Sequence, residues 1–277
     1  MKNILVVEDN RSIRLLISEL LKAEGYSVES AKDGVEGLEK LSTRHFDLIL
    51  LDIWMPRMNG LQFLAKLRDL PAPPKVIVMT ADNTPETLLS AVREQAYQYI
   101  AKPFQPKELQ QMVSNVLSAK PEQSLIEVIS ARPDWVELLV PCELAAAERI
   151  QNFLEKLETD LAPEVRESVG RAFHELLLNA IEWGGQLDPK RKVRISFLRA
   201  RRMLLYRIAD PGKGFRLEDL PHAAVNNPPG QPVEHARIRE EKGLRAGGFG
   251  ILMTRAMVDE LLYNEAQNEV VFVKYLD

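Results

Sequence analysis

Apolar residues along positions 1–118 fall into two alternating rhythms. A short apolar run at 3–7 predicts a strand, and continuous apolar runs at 48–51 and 76–79 predict central strands covered on both faces of a parallel sheet. The run at 26–30 is interrupted by polar residues and predicts an edge strand; 97–101 completes a set of five. Helical patterns follow at 11–24, 35–41, 61–70, 85–94 and 107–117. In the first of these, Ile13, Leu16, Ile17, Leu20 and Leu21 share one face. Five strand–helix repeats predict a doubly wound parallel α/β domain of (βα)5 form over residues 1–119.

The rhythm lapses after residue 119. Polar residues with Pro121 and Pro133 predict a linker over 120–132. Residues 133–277 follow a different grammar. A strand is expected at 135–140, helices at 143–157 and 165–183, and adjacent strands at 193–198 and 204–209. A stretch rich in Gly, Pro and Asn covers about 211–247, before a helix at 249–258 and strands at 261–264 and 270–275. Helices first and neighbouring strands later predict an α+β sandwich with helices on one face of the sheet.

Composition narrows the function classes. With 277 residues, 45% of them hydrophobic, the chain can bury two cores. The apolar run before Glu8 and Asp9 is too short for a signal peptide, and no stretch of about 18 apolar residues predicts a membrane span. Cys142 is the single cysteine, so no intrachain disulfide can form, and a reducing, cytoplasmic setting is expected. The net charge of −4 falls on the second half, since residues 1–120 balance at zero. Neither half has the basic excess that binding to the DNA backbone exploits, and no helix-turn-helix pattern follows the linker, so a DNA-binding regulator is disfavoured. A basic cluster, Lys190, Arg191, Lys192, Arg194, Arg199, Arg201 and Arg202, reads as a solvated hairpin surface; a docking face for an acidic partner is the weaker alternative.

The residues that follow the strands of the first domain carry its chemistry. Ligands bind beyond the carboxyl ends of parallel strands. Those ends hold Glu8 and Asp9, then Asp52, then Thr80, then Lys102 and Pro103. Carboxylates clustered in this way need a cation, and hard oxygen ligands suit Mg2+. One of them can attack a phosphoryl donor to give an acyl phosphate, with Lys102 and Thr80 contacting the phosphoryl oxygens. Any one of these residues is more often a solvated loop residue; the five together, Glu8, Asp9, Asp52, Thr80 and Lys102, are not. The set, with Asp52 in Leu-Leu-Asp-Ile-Trp-Met-Pro-Arg-Met-Asn-Gly, resembles the flavodoxin-like receiver domains of two-component response regulators. The resemblance implies that Asp52 is the phosphate acceptor and that Glu8, Asp9, Asp52 and the backbone carbonyl of Trp54 hold Mg2+. It also implies that Thr80 and Tyr99 form a switch, that the Lys102–Pro103 bond is cis, and that a sensor histidine kinase donates the phosphate.

The second domain contains no Gly-x-x-x-x-Gly-Lys-Ser/Thr loop. Three other features stand out, each ordinary alone. Glu175 and Asn179 are four apart and share a helical face, where a carboxylate can accept a hydroxyl proton and an amide oxygen can ligate Mg2+. Asp210, with Gly212 and Gly214, follows an apolar strand; it can accept a hydrogen bond from an adenine amino group or be no more than a turn. Gly247, Gly248 and Gly250 open a helix, a setting suited to phosphate or merely to a helix start. In this order and spacing they resemble the conserved boxes of the GHKL (Bergerat, HATPase) fold shared by gyrase and histidine kinases. The compact form is similar to anti-sigma-factor serine/threonine kinases. The resemblance implies that Asn179 coordinates Mg2+ on ATP, Asp210 reads adenine, the glycines shape the pocket and its lid, and Glu175 is the general base.

Together these readings predict a response regulator whose ATP-binding output is an anti-sigma factor and kinase of a STAS-type anti-sigma-factor antagonist. The alternative is an ATP-binding module that sequesters a sigma factor or antagonist without phosphoryl transfer. A homodimer is compatible with both. A hybrid histidine kinase is disfavoured: only about 55 residues separate the receiver from Glu175, and part of them reads as strand, leaving no room for a helical hairpin bearing a phosphorylatable His.

Overall fold

A computed structural model describes residues 1–82, 84–118, 126–132, 134–157, 160–214, 234–241 and 249–276, without the side chains of residues 85, 86, 88, 155–157, 235 and 239. The chain divides into two compact units, Met1–Gln123 and Ser124–Asp277. Among the described residues no helix is long and apolar enough to cross a membrane.

The first unit alternates β1 (Asn3–Val7), α1 (Arg11–Ala23), β2 (Ser27–Ala31), α2 (Gly34–Thr43), β3 (Leu48–Asp52), α3 (Gly60–Arg68), β4 (Lys75–Thr80), α4 (Pro85–Arg93), β5 (Gln98–Ala101) and α5 (Pro106–Ser118). All five strands are parallel, in the order β2-β1-β3-β4-β5. Parallel strands are buried on both faces, and the side chains divide accordingly. Ile4, Val6, Leu48, Leu50, Ile77, Met79 and Ile100 pack with Ile17, Leu21, Leu109 and Val113 of α1 and α5. On the other face Gly37 of α2 lies against Phe63 of α3 and Val7 of β1. Short polar side chains start the helices immediately after the strands. Asn10 accepts from the Ser12 and Ile13 amides, Asp33 from Val35 and Glu36, and Asn59 forms a capping box with Gln62. These caps fix the turns that lead into α1, α2 and α3.

The second unit contains β6 (Glu127–Arg132), β7 (Trp135–Pro141), α6 (Leu144–Leu157), α7 (Pro163–Asn179), a π-helical turn (Ala180–Gly184), β8 (Lys192–Ala200), β9 (Met203–Ala209), α8 (Glu234–Glu241), α9 (Gly250–Met257), β10 (Glu260–Tyr263) and β11 (Glu269–Tyr275). Its antiparallel sheet has the order β10-β11-β9-β8-β7-β6. Period-two alternation drives one face of each strand inward, as in β9, where Leu204, Tyr206 and Ile208 are buried. Tyr206 stacks on Phe272 at 4.8 Å and meets Phe197 and, from α7, Phe173. This aromatic cluster fixes α7 over the sheet.

Two sequence expectations are corrected. Residues 127–132, expected as linker, form β6, an edge strand paired with β7. A bulge between Val128 and Ser130 breaks its inside–outside alternation, which erased the strand signal. Within the stretch expected to lack periodic structure, residues 234–241 form α8. It has no apolar stripe to reveal it and is laced instead by ion pairs of Arg237 with Glu234 and Glu241. The basic cluster is largely spent within the unit: Lys192 pairs with Glu127, Arg194 with Glu137, and Arg199 with Asp160.

Candidate functional site

In the first unit, four strands deliver their end residues to one edge of the sheet. Asp52 is the last residue of β3 and Thr80 the last of β4; Glu8 and Asp9 follow β1, and Lys102 follows β5. Glu8 and Asp52 are almost wholly buried, at 1% and 5% exposure. The Lys102 ammonium lies between them, 2.7 Å from Glu8 Oε2 and 3.0 Å from Asp52 Oδ1. Asp9 is exposed, and one carboxylate oxygen from each of the three acids lies within 4.8 Å of the others. An all-carboxylate oxygen set with an open side fits a small hard cation such as Mg2+. Burial raises the Glu8 carboxyl above its ordinary range, helped by the charge of Asp52 and opposed by the Lys102 hydrogen bond and charge and by the Asn10 amide. Burial likewise raises Asp52; Lys102 opposes it and the charge of Asp9 adds to it.

The loops that carry these groups are held from behind. The Arg14 guanidinium donates to the carbonyls of Glu8, at 2.5 Å, and Asp9, at 3.0 Å. After β3, Arg57 adopts φ 64° and its Nε donates to buried Asp33 at 2.7 Å. Gly60 closes that turn: its amide donates to Ile53 O at 2.8 Å, and a Cβ there would lie 2.3 Å from Asp52 O. Trp54 stands two residues beyond Asp52 with its indole exposed. The Thr80 hydroxyl is engaged with residue 82, donating to the Asp82 carbonyl at 3.1 Å and accepting from its amide at 3.0 Å. Tyr99 is buried on β5, and Lys102–Pro103 is cis.

The second unit forms two smaller constellations. Glu175 and Asn179 lie half-buried on α7. The N-terminus of α9 comes so close that a Cβ on Gly250 would sit 2.6 Å from Glu175 Oε2 and 3.7 Å from Asn179 Nδ2. These three residues, far apart in sequence, are thus brought together. At the end of β9, Asp210 Oδ1 accepts from the Gly212 amide at 2.7 Å. The π-helical turn that continues α7 brings Gly184 against it, where a Cβ would fall 2.2 Å from the Asp210 carboxyl. Asp210 is raised by burial, opposed by the Gly212 amide and the charge of Arg191. Gly214 has φ +82° and lies against Ala266, where any side chain would collide with the Ala266 carbonyl. Gly247 and Gly248 lie outside the described residues, as does most of the expected lid.

Sequence reasoning missed three supports of this second constellation. Gly184 follows a helix and reads as a stop signal; only the fold reveals that it makes room for Asp210. Asn268 receives the Asp210 amide on its carbonyl at 2.8 Å and donates through Nδ2 to Gly212 O at 3.0 Å. Arg191 donates to Pro211 O at 2.6 Å. A lone Asn in a turn and one Arg in a basic run carried no signal.

With this geometry in place, the comparisons are informative. The family model for the response regulator receiver domain matches residues 4–114, and the model for the histidine kinase-like ATPase domain matches residues 140–274. The response regulator ArlR of Staphylococcus aureus is 30% identical over 200 residues, which is 72% of this chain and 88% of that protein. Among solved structures, the chemotaxis response regulator CheY4 of Vibrio cholerae is 33% identical, covering 42% of this chain and 98% of its own, at TM-score 0.40. The response regulator TrrA of Thermotoga maritima, solved with Mg2+ and BeF, is 37% identical, covering 42% and 99%, at TM-score 0.39.

Two outcomes are expected. First, Glu8 holds its proton to higher pH in the folded unit than in the unfolded chain. Its favourable contribution is therefore complete below the ordinary carboxylate pKa of about 4 and is lost as pH rises through the raised folded value. The variant Glu8→Gln should gain stability over the parent as pH rises from about 4 to 7 without divalent cation, and Mg2+ should shrink that gain. Taking the difference cancels the oppositely shifted Asp33 and Asp47. Urea denaturation of both proteins checks this; a pH-independent difference contradicts it. Second, Gly60→Ala should destabilise the first unit by about 1–3 kcal/mol, because the new methyl overlaps the Asp52 backbone. Thermal melts monitored by circular dichroism measure it.

Proposed function

The chain belongs to the response regulator family, and from that premise we propose that phosphorylation of Asp52 governs an ATP-dependent anti-sigma factor that is also a serine/threonine kinase. The observation that carries the first half is the Lys102 ammonium shared by two buried carboxylates at the sheet edge. Asp52 attacks the phosphorus of a phosphohistidine on a sensor kinase. An O–P bond forms, the P–N bond breaks, and the electron pair returns to the imidazole nitrogen. Glu8, Asp9, Asp52 and the Trp54 carbonyl would hold Mg2+, which when bound supplies neutralising charge on the transferring group. Lys102 contacts a phosphoryl oxygen, and the Thr80 hydroxyl moves to another.

A histidine kinase-like ATPase domain implies ATP binding for the second unit. In our reading Asp210 accepts a hydrogen bond from the adenine amino group and Asn179 faces the phosphates with their Mg2+. Glu175 is the general base: it takes the proton of a serine or threonine hydroxyl as that oxygen attacks the γ-phosphorus and ADP departs. The substrate is an anti-sigma-factor antagonist of STAS type, and the competing partner is a sigma factor. The close approach of Glu175, Asn179 and Gly250 supports a shared catalytic and phosphate-facing role for them.

Two measurements test the two halves separately. Acetyl phosphate should label the parent chain with one acid-stable, base-labile phosphate, and Asp52→Ala should abolish it; undiminished labelling sinks the assignment. Radiolabelled ATP with a candidate antagonist should give transfer that falls at least about 100-fold in Glu175→Ala, the scale of a lost general base. Tight nucleotide-dependent binding of the antagonist without transfer would instead establish a sequestering module.

A further inference from the structure

We infer that Arg191 is a positioning residue for base recognition: its guanidinium grips the turn that carries Asp210 and supplies the positive charge that faces that carboxyl. The inference rests on the adenine-reading role proposed for Asp210.

The Asp210-Pro211-Gly212 turn is held at every main-chain group that the structure shows in a bond. Asp210 N donates to Asn268 O, Gly212 O accepts from Asn268 Nδ2, and Gly212 N donates to Asp210 Oδ1. Proline has no N–H, so the carbonyl is the one main-chain group by which Pro211 can be gripped. Arg191 Nη2 takes it at 2.6 Å. Arg191 is itself fixed on both sides: its amide donates to Asp188 O at 3.0 Å, and its carbonyl accepts from Cys142 N at 3.0 Å. The guanidinium therefore projects from an anchored backbone onto the turn.

The charge matters as much as the grip. The π-helical turn presents Gly184, which has no side chain, to the Asp210 carboxyl; the one acid of that turn is Glu182. From the 264–268 turn it is approached by neutral Asn268. Cys142, after β7, is titratable, but burial pushes its thiol up to about 11, so it is uncharged near neutrality. Asp188, whose charge acts on Cys142, is an acid and offers Asp210 no relief. Burial works against the Asp210 charge, and Arg191 is the cation that acts on it among the described residues. A base amino group donates most strongly to an ionised acceptor. Loss of Arg191 should therefore weaken nucleotide binding most on the acid side.

Titration calorimetry with ADP and Mg2+ on the full chain at pH 6 and pH 8 tests this. Comparison with the parent at each pH cancels the titration of the nucleotide itself. Arg191→Met is expected to bind ADP more weakly than the parent, with a distinctly larger fold-loss at pH 6 than at pH 8. Arg191→Lys keeps a cation and gives up the planar fork, so its loss should be the same at both values. Asp210→Asn should flatten the pH dependence. An equal loss in Arg191→Met at both pH values, or none, overturns the inference. Should that variant fail to fold, a pH-dependent loss in Arg191→Lys overturns it as well. No ADP binding by the parent, or unchanged affinity in Asp210→Asn, removes the adenine reading and the inference with it.

Discussion

One ammonium group between two buried carboxylates sets the character of the first unit. Lys102 is within 3.0 Å of both Glu8 and Asp52, and neither acid has appreciable contact with solvent. Burying an ion costs several kcal/mol unless an opposite charge compensates, and here one cation serves two anions, with a third at the rim. When all three carboxyls are ionised, three negative charges face one positive charge. The residual of two matches a divalent cation. The site is thus electrostatically incomplete by design of its residues, and burial answers by lifting the carboxyls of Glu8 and Asp52. Under the proposed function, a carboxylate held this way would be a better nucleophile once a cation removes the repulsion, because its lone pairs are poorly solvated and fixed in direction. The neighbouring supports, Arg14 on the acidic loop and Gly60 against the Asp52 backbone, keep that geometry from relaxing.

The second unit repeats the theme with smaller means. Asp210 is a single carboxyl, half-buried, opposed by one guanidinium and one amide. Missing side chains do the spacing in both units. Gly60 admits the Asp52 backbone, Gly184 admits the Asp210 carboxyl, and Gly250 admits Glu175. At each place a methyl would fall 2.2–2.6 Å from its neighbour, well inside van der Waals contact, so the chain yields side-chain packing to bring an acid close to main chain.

Legibility in the sequence followed the strength of periodic burial. The parallel sheet was readable because β1, β3 and β4 are unbroken apolar runs bounded by chemistry-bearing residues, and those residues met where the strands ended. The sandwich was readable from β7, β8 and β9, which are strand-length apolar segments, two of them adjacent in sequence. Bulged β6 and the charge-rich α8 were not, since neither presents a regular apolar face. At the sites, the acids and amides were legible as types at the right spacing. Their supports were not: Arg14, Arg57, Arg191 and Asn268 act through main-chain carbonyls or single partners that only the folded chain brings near.

The Thr80 hydroxyl is held at the same sheet edge by a separate pair of bonds. Its two bonds to the main chain of residue 82 must both be given up if it is to reach a phosphoryl group on Asp52. At about 1 kcal/mol net each, they hold the hydroxyl in its present place by about 2 kcal/mol. A hydrogen bond to a charged phosphoryl oxygen returns about 1.5–3 kcal/mol, so the exchange is nearly even and the two positions lie within reach of each other. Residue 82 does not act alone. Its carboxylate accepts from the Thr84 amide at 2.9 Å and from the Thr87 hydroxyl at 2.7 Å, and these bonds hold it below the usual carboxylate range. Thr87 is in the first turn of α4, so release of Thr80 loosens a segment that is tied to that helix. Under the proposed function, a nearly balanced exchange at the sheet edge, linked by two short bonds to the start of α4, would carry the signal out of the pocket.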